Sequence, residues 1–245
     1  MGIVGTLSEI IKEQWEWRKQ ILSLGLFDLK KPSAGAVLGS FWFFAKPAVY
    51  IFCFWFALEV GLKSGNQTGS DVPYILWLMG GLIPWFYMQD ILGAGIDVFK
   101  RYSYLVTKIK FPLPGIPTIY SISTMIIQAG LVAALLIVFF LCGQTADWYL
   151  LQIPVAMVLM FVFFDLFSLM TSCLSAISKD FKNLLQTLST PLFWLSGVIF
   201  DVYSMGIPAI EAILMFNPVT FFVTMYRCAV YDLSLIHISE PTRRT

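Results

Sequence analysis

Apolar residues gather into five long runs along this chain, near 40–62, 74–97, 117–142, 149–178 and 184–204, and nearly all charged residues fall between them. A bilayer-crossing helix needs about 20 mostly apolar residues, so each run predicts a membrane span. Ahead of the first run the pattern changes. Ile3, Leu7, Ile10, Ile11, Trp15, Leu22 and Leu26 recur at helical spacing among Glu9, Lys12, Glu13, Glu16, Arg18 and Lys19. That spacing predicts an amphipathic helix over about 3–27. Trp15 and Trp17 suit the headgroup region, which fits a helix lying on the membrane surface; a helix packed on the transmembrane bundle fits the same pattern. This segment is too polar for the apolar core of a signal peptide. Beyond the fifth run, residues 205–230 are apolar but broken by Pro208, Glu211, Asn217, Pro218 and Arg227. The expected fold is an all-α polytopic membrane protein, with one interface helix and five transmembrane helices in a single integral membrane domain.

Composition agrees with the pattern. The chain is 58% hydrophobic and 13% charged, against roughly half and a quarter in soluble domains. A formal net charge of +1 argues against nucleic acid as a partner. The four cysteines, Cys53, Cys142, Cys173 and Cys228, form no CxxC pair. They read as free thiols and not as a metal site.

Charge placement sets an orientation. Lys12, Arg18, Lys19, Lys30, Lys31, Lys100, Arg101, Lys108, Lys110, Lys179 and Lys182 fall on one side if the spans alternate. Only Lys63 and Arg227 fall on the other. Basic loop residues favour the cytoplasm, so the N-terminus is expected inside. The longest inner loop, 98–113, is basic and carries aromatics, and the Phe111-Pro112-Leu113-Pro114 breaker ends it and starts the next helix.

The last residues break the composition of the rest. From Leu233 the chain reads LSLIHISEPTRRT and contains the sole histidine, His237. Leu233–Arg243 resembles the in-frame translation of a transposase adapter used in shotgun DNA sequencing. Residues 233–245 are therefore set aside as a non-native tail. Without them the formal charges balance at fourteen basic and fourteen acidic residues. An odd number of spans would place the termini on opposite sides; a sixth span after Asp232 would return the C-terminus to the cytoplasm.

Several phrases stand in a definite order: Leu38-Gly39-Ser40-Phe41-Trp42, then Gly81-Leu82-Ile83-Pro84-Trp85-Phe86, Lys108-Ile109-Lys110-Phe111-Pro112, Lys179-Asp180-Phe181-Lys182-Asn183, and Asn217-Pro218 ahead of Tyr226-Arg227. In this order and spacing, residues 20–232 resemble the permease subunits of ABC transporters that export polysaccharides. This is the ABC type 2 class serving O-antigen, capsule and teichoic acid. The resemblance implies six spans per subunit, a permease homodimer, two separate ATPase subunits and a lipid-linked glycan as cargo. It also implies a multi-pass protein of the bacterial cytoplasmic (inner) membrane. Lys100, Arg101, Tyr104, Lys108, Lys110, Lys179, Asp180 and Lys182 would couple to the ATPase. Residues 205–230, with Asn217, Pro218 and Arg227, would form short re-entrant helices at the outer face. Where such permeases often carry an arginine-tyrosine pair before the first span, this chain has Asp28-Leu29-Lys30-Lys31.

The chain has no GxxxxGK[ST] phosphate loop, so ATP and magnesium are expected on the partner and no cofactor on this chain. Asp165 sits mid-span, where an ionisable residue is costly. It is either a buried helix–helix hydrogen bond or part of a substrate path. Trp42, Trp85 and Phe86 belong to an aromatic crowd in the first two spans; such rings stack on sugars or fill helix interfaces. Lys46, Glu59, Asp90 and Asp97 lie near span ends, where snorkelling or capping accounts for them. Two other classes stay open: an ABC type 2 permease exporting drugs or small lipids, and a membrane-embedded acyl- or glycosyltransferase.

Overall fold

A computed structural model describes residues 3–30, 37–62, 73–109, 111–145, 148–202 and 206–232. Lys31, Lys63, Lys110 and the tail 233–245 lie outside the described residues. The fold is all-α, with no strand among the described residues. Helices α1 (Ile3–Glu16) and α2 (Arg18–Asp28) precede α3 (Trp42–Trp55), which runs into a wider π-turn at Phe56–Gly61. Then come α4 (Tyr74–Gly93), the short α5 (Val98–Arg101) and α6 (Ser103–Ile109), α7 (Gly115–Leu141), α8 (Gln152–Ile177), α9 (Lys179–Leu195), α10 (Pro208–Met215) and α11 (Pro218–Arg227).

Four helical stretches among the described residues are long and apolar enough to cross a membrane: Gly39–Gly61, Tyr74–Ile109, Gly115–Leu141 and Trp148–Ile177. The pair Pro208–Met215 and Pro218–Val230, bent by 99°, adds a fifth if it counts as one broken span. The expected span at 184–204 takes a different form. Its helix, α9, starts earlier, at Lys179, and stops at Leu195 after 17 residues. At 1.5 Å per residue that is about 25 Å, short of the roughly 30 Å hydrocarbon core. The chain leaves the helix at Ser196-Gly197, where Gly197 takes a left-handed φ of +69°, a region that glycine enters without steric cost.

The chain forms two compact units. One gathers the described residues up to Trp42 with Gln89–Ile127 and Phe161–Ser189; the other holds Phe43–Met88, Gln128–Met160 and the described residues from Thr190 on.

In the first unit, α1 and α2 replace the single predicted interface helix. Hydrogen bonding is nearly continuous through the junction, with Trp17 N–H donating to Glu13 O at 3.0 Å and Ile21 N–H to Trp17 O at 2.9 Å. Ile21, Gly25 and Asp28, one helical turn apart, are the buried face. Gly25 is where α2 meets α7: a Cβ there would lie 3.0 Å from Ile122 Cγ2 and 3.2 Å from the Ile119 carbonyl. Trp15, Leu22, Leu26 and Phe27 stay exposed. The two sequence readings thus describe different faces of one helical segment, one packed on the bundle and one apolar face turned outward.

Between membrane helices the hydrophobic effect gives no net drive, so close packing and small polar residues hold them. Ser121, Ser123, Thr124, Ser168, Thr171, Ser172 and Ser175 are all buried on α7 and α8. Several hydroxyls donate back to carbonyls three or four residues earlier, as Thr124 does to Tyr120 O at 3.0 Å and Thr171 to Phe167 O at 2.7 Å. Such bonds satisfy a hydroxyl without a partner helix.

In the second unit α4 is the central helix. It is apolar all round, and the most apolar window of the stretch it begins, Tyr74–Ile109, is 78% buried, against 6% for the stretch containing α3. Helices hydrophobic on every side belong in a core or a membrane. Pro84 interrupts α4 and removes the amide that would bond the Gly80 carbonyl. Gly130 of α7 leaves room for the Phe44 ring of α3; a Cβ there would come within 2.6 Å of that ring.

Candidate functional site

The segment after α4 does not remain one basic loop. A single turn at Gly95–Asp97 leads into α5 and α6, and polar bonds strap this segment to its neighbours within the first unit. Asp97 is the hub on one side. Lys182 of α9 donates to its Oδ2 at 2.7 Å, and Lys100 lies 3.3 Å from Oδ1. Ser175 of α8 donates to Oδ1 at 3.3 Å, and Lys100 Nζ also donates to the Ser175 carbonyl at 3.1 Å. Ser168 donates to the Gly95 carbonyl at 2.6 Å and Gln186 to the Gly93 carbonyl at 3.2 Å. Asp97 is therefore not merely a span-end charge: its side chain makes no capping bond to the helix that follows, and it joins α8 and α9 to the turn.

On the other side the hub is Asp28 of α2, which is 3% exposed. Tyr102 Oη donates to its Oδ2 at 2.6 Å, and Arg101 Nη2 lies 3.5 Å from the same oxygen. The Arg101 guanidinium also sits 4.9 Å from the Tyr120 ring centroid on α7, within cation–π range. The segment is thus held to α8 and α9 through Asp97, to α2 through Asp28 and to α7 through Arg101 over Tyr120.

The residues expected to face an ATPase divide accordingly. Lys100, Arg101 and Lys182 are partly engaged in these straps. Tyr104, Lys108, Lys179 and Asp180 are exposed. Asp180 lies in the first turn of α9, where its charge suits the helix N-terminus, and Phe181 N–H donates to Ser178 Oγ at 3.3 Å, capping that helix. Lys110 lies outside the described residues. Sequence reading did not single out Tyr102, Tyr120 or Ser175, and it named Asp28 only within the Asp28-Leu29-Lys30-Lys31 stretch. The available signal was Asp28: a carboxylate on the apolar face of an amphipathic helix, in register with Ile21 and Gly25.

Of the four aromatic and acidic residues assigned to a substrate path, Trp42 and Asp165 belong to the first unit and Trp85 and Phe86 to the second. Trp42 is 46% exposed. Trp85 is buried, its ring 5.3 Å from that of Phe193, and Phe86 lies 6.2 Å edge-on from Tyr50; both fill helix interfaces. Asp165 is buried on α8, where Thr118 Oγ1 of α7 donates to its Oδ2 at 2.9 Å. Gln14 of α1 donates to the same Thr118 hydroxyl at 3.1 Å and to the Pro114 carbonyl at 3.3 Å. Asp165 therefore ends a hydrogen-bond chain that crosses three helices.

The second unit contains a cluster of another kind. Asn217 caps α11: its Oδ1 accepts from Val219 N–H at 3.0 Å, Pro218 takes the first helical position, and Nδ2 donates to Ser196 Oγ at 2.7 Å. At the far end of α11, Arg227 is 7% exposed. This corrects its place among the loop charges. Nη1 donates to the carbonyls of Gly197 at 2.5 Å and Phe200 at 3.1 Å, Nη2 to Val198 at 2.5 Å, and Nε to Trp77 at 3.4 Å. Its Cζ lies 3.6 Å over the Trp77 ring. The planar fork of arginine suits such divergent acceptors, and α4 makes room for it. A Cβ on Gly81 would collide with the Val198 carbonyl and with Arg227 Nη2, whereas one on Gly80 would only touch Arg227 at 3.4 Å. Asn217 and Arg227 thus converge on the turn 196–200 from the two ends of α11, which Pro218 begins. The clue in the sequence was one arginine in an apolar run, with a Gly80-Gly81 pair far upstream.

A family model described as ABC-2 type transporter matches residues 19–231. A relative from Myxococcus xanthus, named O-antigen export system permease protein RfbA, is 20% identical over 224 residues, covering 91% of this chain and 84% of the relative.

Proposed function

The chain belongs to the ABC-2 type transporter family, and from that premise we propose that it is the permease subunit of an exporter of lipid-linked cell-surface polysaccharide. A permease of this kind works in a membrane with an ATP-binding partner. The reading as a glycan exporter is supported by the relative named for O-antigen export, whose similarity runs through 91% of this chain. We take the permease to act as a homodimer in the bacterial inner membrane, with ATP and magnesium on the partner. Of the eleven basic residues that favour the cytoplasmic side, the nine described ones all belong to the first unit, which supports a cytoplasmic N-terminus.

The strapping of Gly95–Ile109 is the observation that carries the mechanism. A partner that pushed on Tyr104 and Lys108 would meet a segment joined at once to α8 and α9 through Asp97, to α2 through Asp28 and to α7 through Arg101. Motion imposed on it would pass to those helices through short bonds of fixed geometry. The straps at Asp97 are partly exposed ion pairs, Asp97 at 24% and Lys182 at 29%, so they can re-form in a second arrangement, whereas Asp28 is buried.

Two experiments test this. A cysteine at Tyr104 in the permease–ATPase complex should cross-link to the ATPase subunit in at least one nucleotide state; no cross-link in any state would remove the coupling role. Deleting the gene should strip the surface glycan and leave its lipid-linked precursor inside the cell. Normal glycan with altered drug susceptibility would instead identify a small-molecule exporter.

A further inference from the structure

We propose that the groove between α2 and α6 binds an anionic glycerophospholipid, with an acyl chain along its floor and the phosphate at its polar rim. The groove has a volume of about 450 Å³ and is lined by Trp17, Lys19, Gln20, Ser23, Leu24, Leu105, Ile109 and Phe111. Its apolar side chains come from both helices and from the residue after them: Trp17 and Leu24, Leu105 and Ile109, and Phe111, which packs edge-on to Trp17 at 5.1 Å. The rim offers a cation, an amide and a hydroxyl from Lys19, Gln20 and Ser23, all exposed. These are the donors a phosphate diester takes.

The surroundings favour a lipid over a soluble ligand. Leu22, Leu26 and Phe27 of the same helix are 50–59% exposed, an apolar face that suits the headgroup–acyl boundary. The charge favours an anion. Lys19 and Lys108 stand exposed near the two walls, while Glu16 is paired with Lys12 at 4.0 Å and Asp28 with Arg101 at 3.5 Å. Arg18 folds back on Trp15, donating to its carbonyl at 2.7 Å, which leaves Lys19 as the cation of the rim. A lipid seated here would wedge between the interface helix and the segment that ends the straps. The site is independent of which cargo the exporter carries.

The test uses the full permease–ATPase complex in nanodiscs. Tryptophan fluorescence is compared between brominated phosphatidylglycerol and brominated phosphatidylcholine, for the native protein and for Trp17→Phe; the difference isolates quenching at the groove. We expect Trp17-dependent quenching with a preference of about fivefold for the glycerol lipid, the effect of one lysine near an anionic headgroup. Lys19→Gln should bring it to the phosphatidylcholine level without changing helical content. Native mass spectrometry should show one fewer retained phosphatidylglycerol per permease copy in Lys19→Gln, a reading that does not depend on Trp17→Phe folding. Equal quenching by both lipids would overturn the proposal, as would no Trp17-dependent quenching. Quenching that appears only without the ATPase would assign the groove to the partner and overturn it too.

Discussion

The straps around Asp97 and the clamp around Arg227 hold two turns in opposite ways. At Asp97 several partly exposed groups share the work: Lys100 at 45%, Lys182 at 29% and Asp97 itself at 24%. At Arg227 one buried guanidinium serves the carbonyls of Gly197, Val198, Phe200 and Trp77. Water can replace any bond in the first set, so each is worth little alone and the set can rearrange. In the second set no solvent stands ready, and loss of the cation would leave several carbonyls unsatisfied together. An unmade buried bond costs more than a made one contributes. The first arrangement suits a part that moves, the second a part that must not.

Replacing Arg227 should break this contrast most severely. Arg227→Ala removes the guanidinium donors to the Gly197, Val198 and Phe200 carbonyls and should cost at least about 3 kcal/mol. It would be read as a large drop in thermal stability of the detergent-purified permease. Arg227→Lys keeps the charge but not the fork and should recover only part of the loss. Full stability in the alanine variant would mean that the clamp is incidental.

Next in size is the paired glycine test. Gly81→Ala should destabilise by about 1–3 kcal/mol through overpacking against the Val198 carbonyl and the guanidinium. Gly80→Ala, which meets only ordinary contact at 3.4 Å, should be near neutral. Equal effects at the two positions would show that helix propensity, and not the clamp, governs this stretch.

Tyr102→Phe deletes the 2.6 Å bond to a carboxylate that is 3% exposed. It should cost about 1–3 kcal/mol, measurable by the same melting experiment. Arg101→Gln in that background should add to the loss, because both donors serve the same oxygen of Asp28.

The smallest effect on stability is expected at Lys182. Lys182→Gln removes a partly exposed pair worth under about 1 kcal/mol, so melting should hardly shift. Export should fall instead, while the partner's ATP hydrolysis continues uncoupled. A variant that exports at the normal rate would show that Asp97 is a fastening and not a relay.

How much of this was legible in the sequence differs from element to element. α7 and α8 follow directly from their apolar runs, and the Phe111–Pro114 breaker marks where α7 begins. The 98–113 loop was recognisable as basic and aromatic, and the surface residues Tyr104 and Lys108 came with it, as Lys179 and Asp180 came with the charged phrase at 179–183. The fifth run misled on length, since apolar composition continues past Leu195 while the backbone turns at Gly197. Asp97 read as an ordinary span-end charge because its partners Ser175 and Lys182 lie far along the chain.

Composition and period by themselves determined that the chain is all-α, where most of its long helices lie and which connecting segments gather its lysines and arginines, because each of these depends on neighbours in sequence and on transfer from water to lipid. Only tertiary structure decided what single polar residues do. A buried Asp28, a strapped Asp97 and a clamped Arg227 take their roles from groups that folding brings within about 3 Å, a bonding distance. A hydrogen bond is specified by that distance and direction, and neither is written in the local pattern.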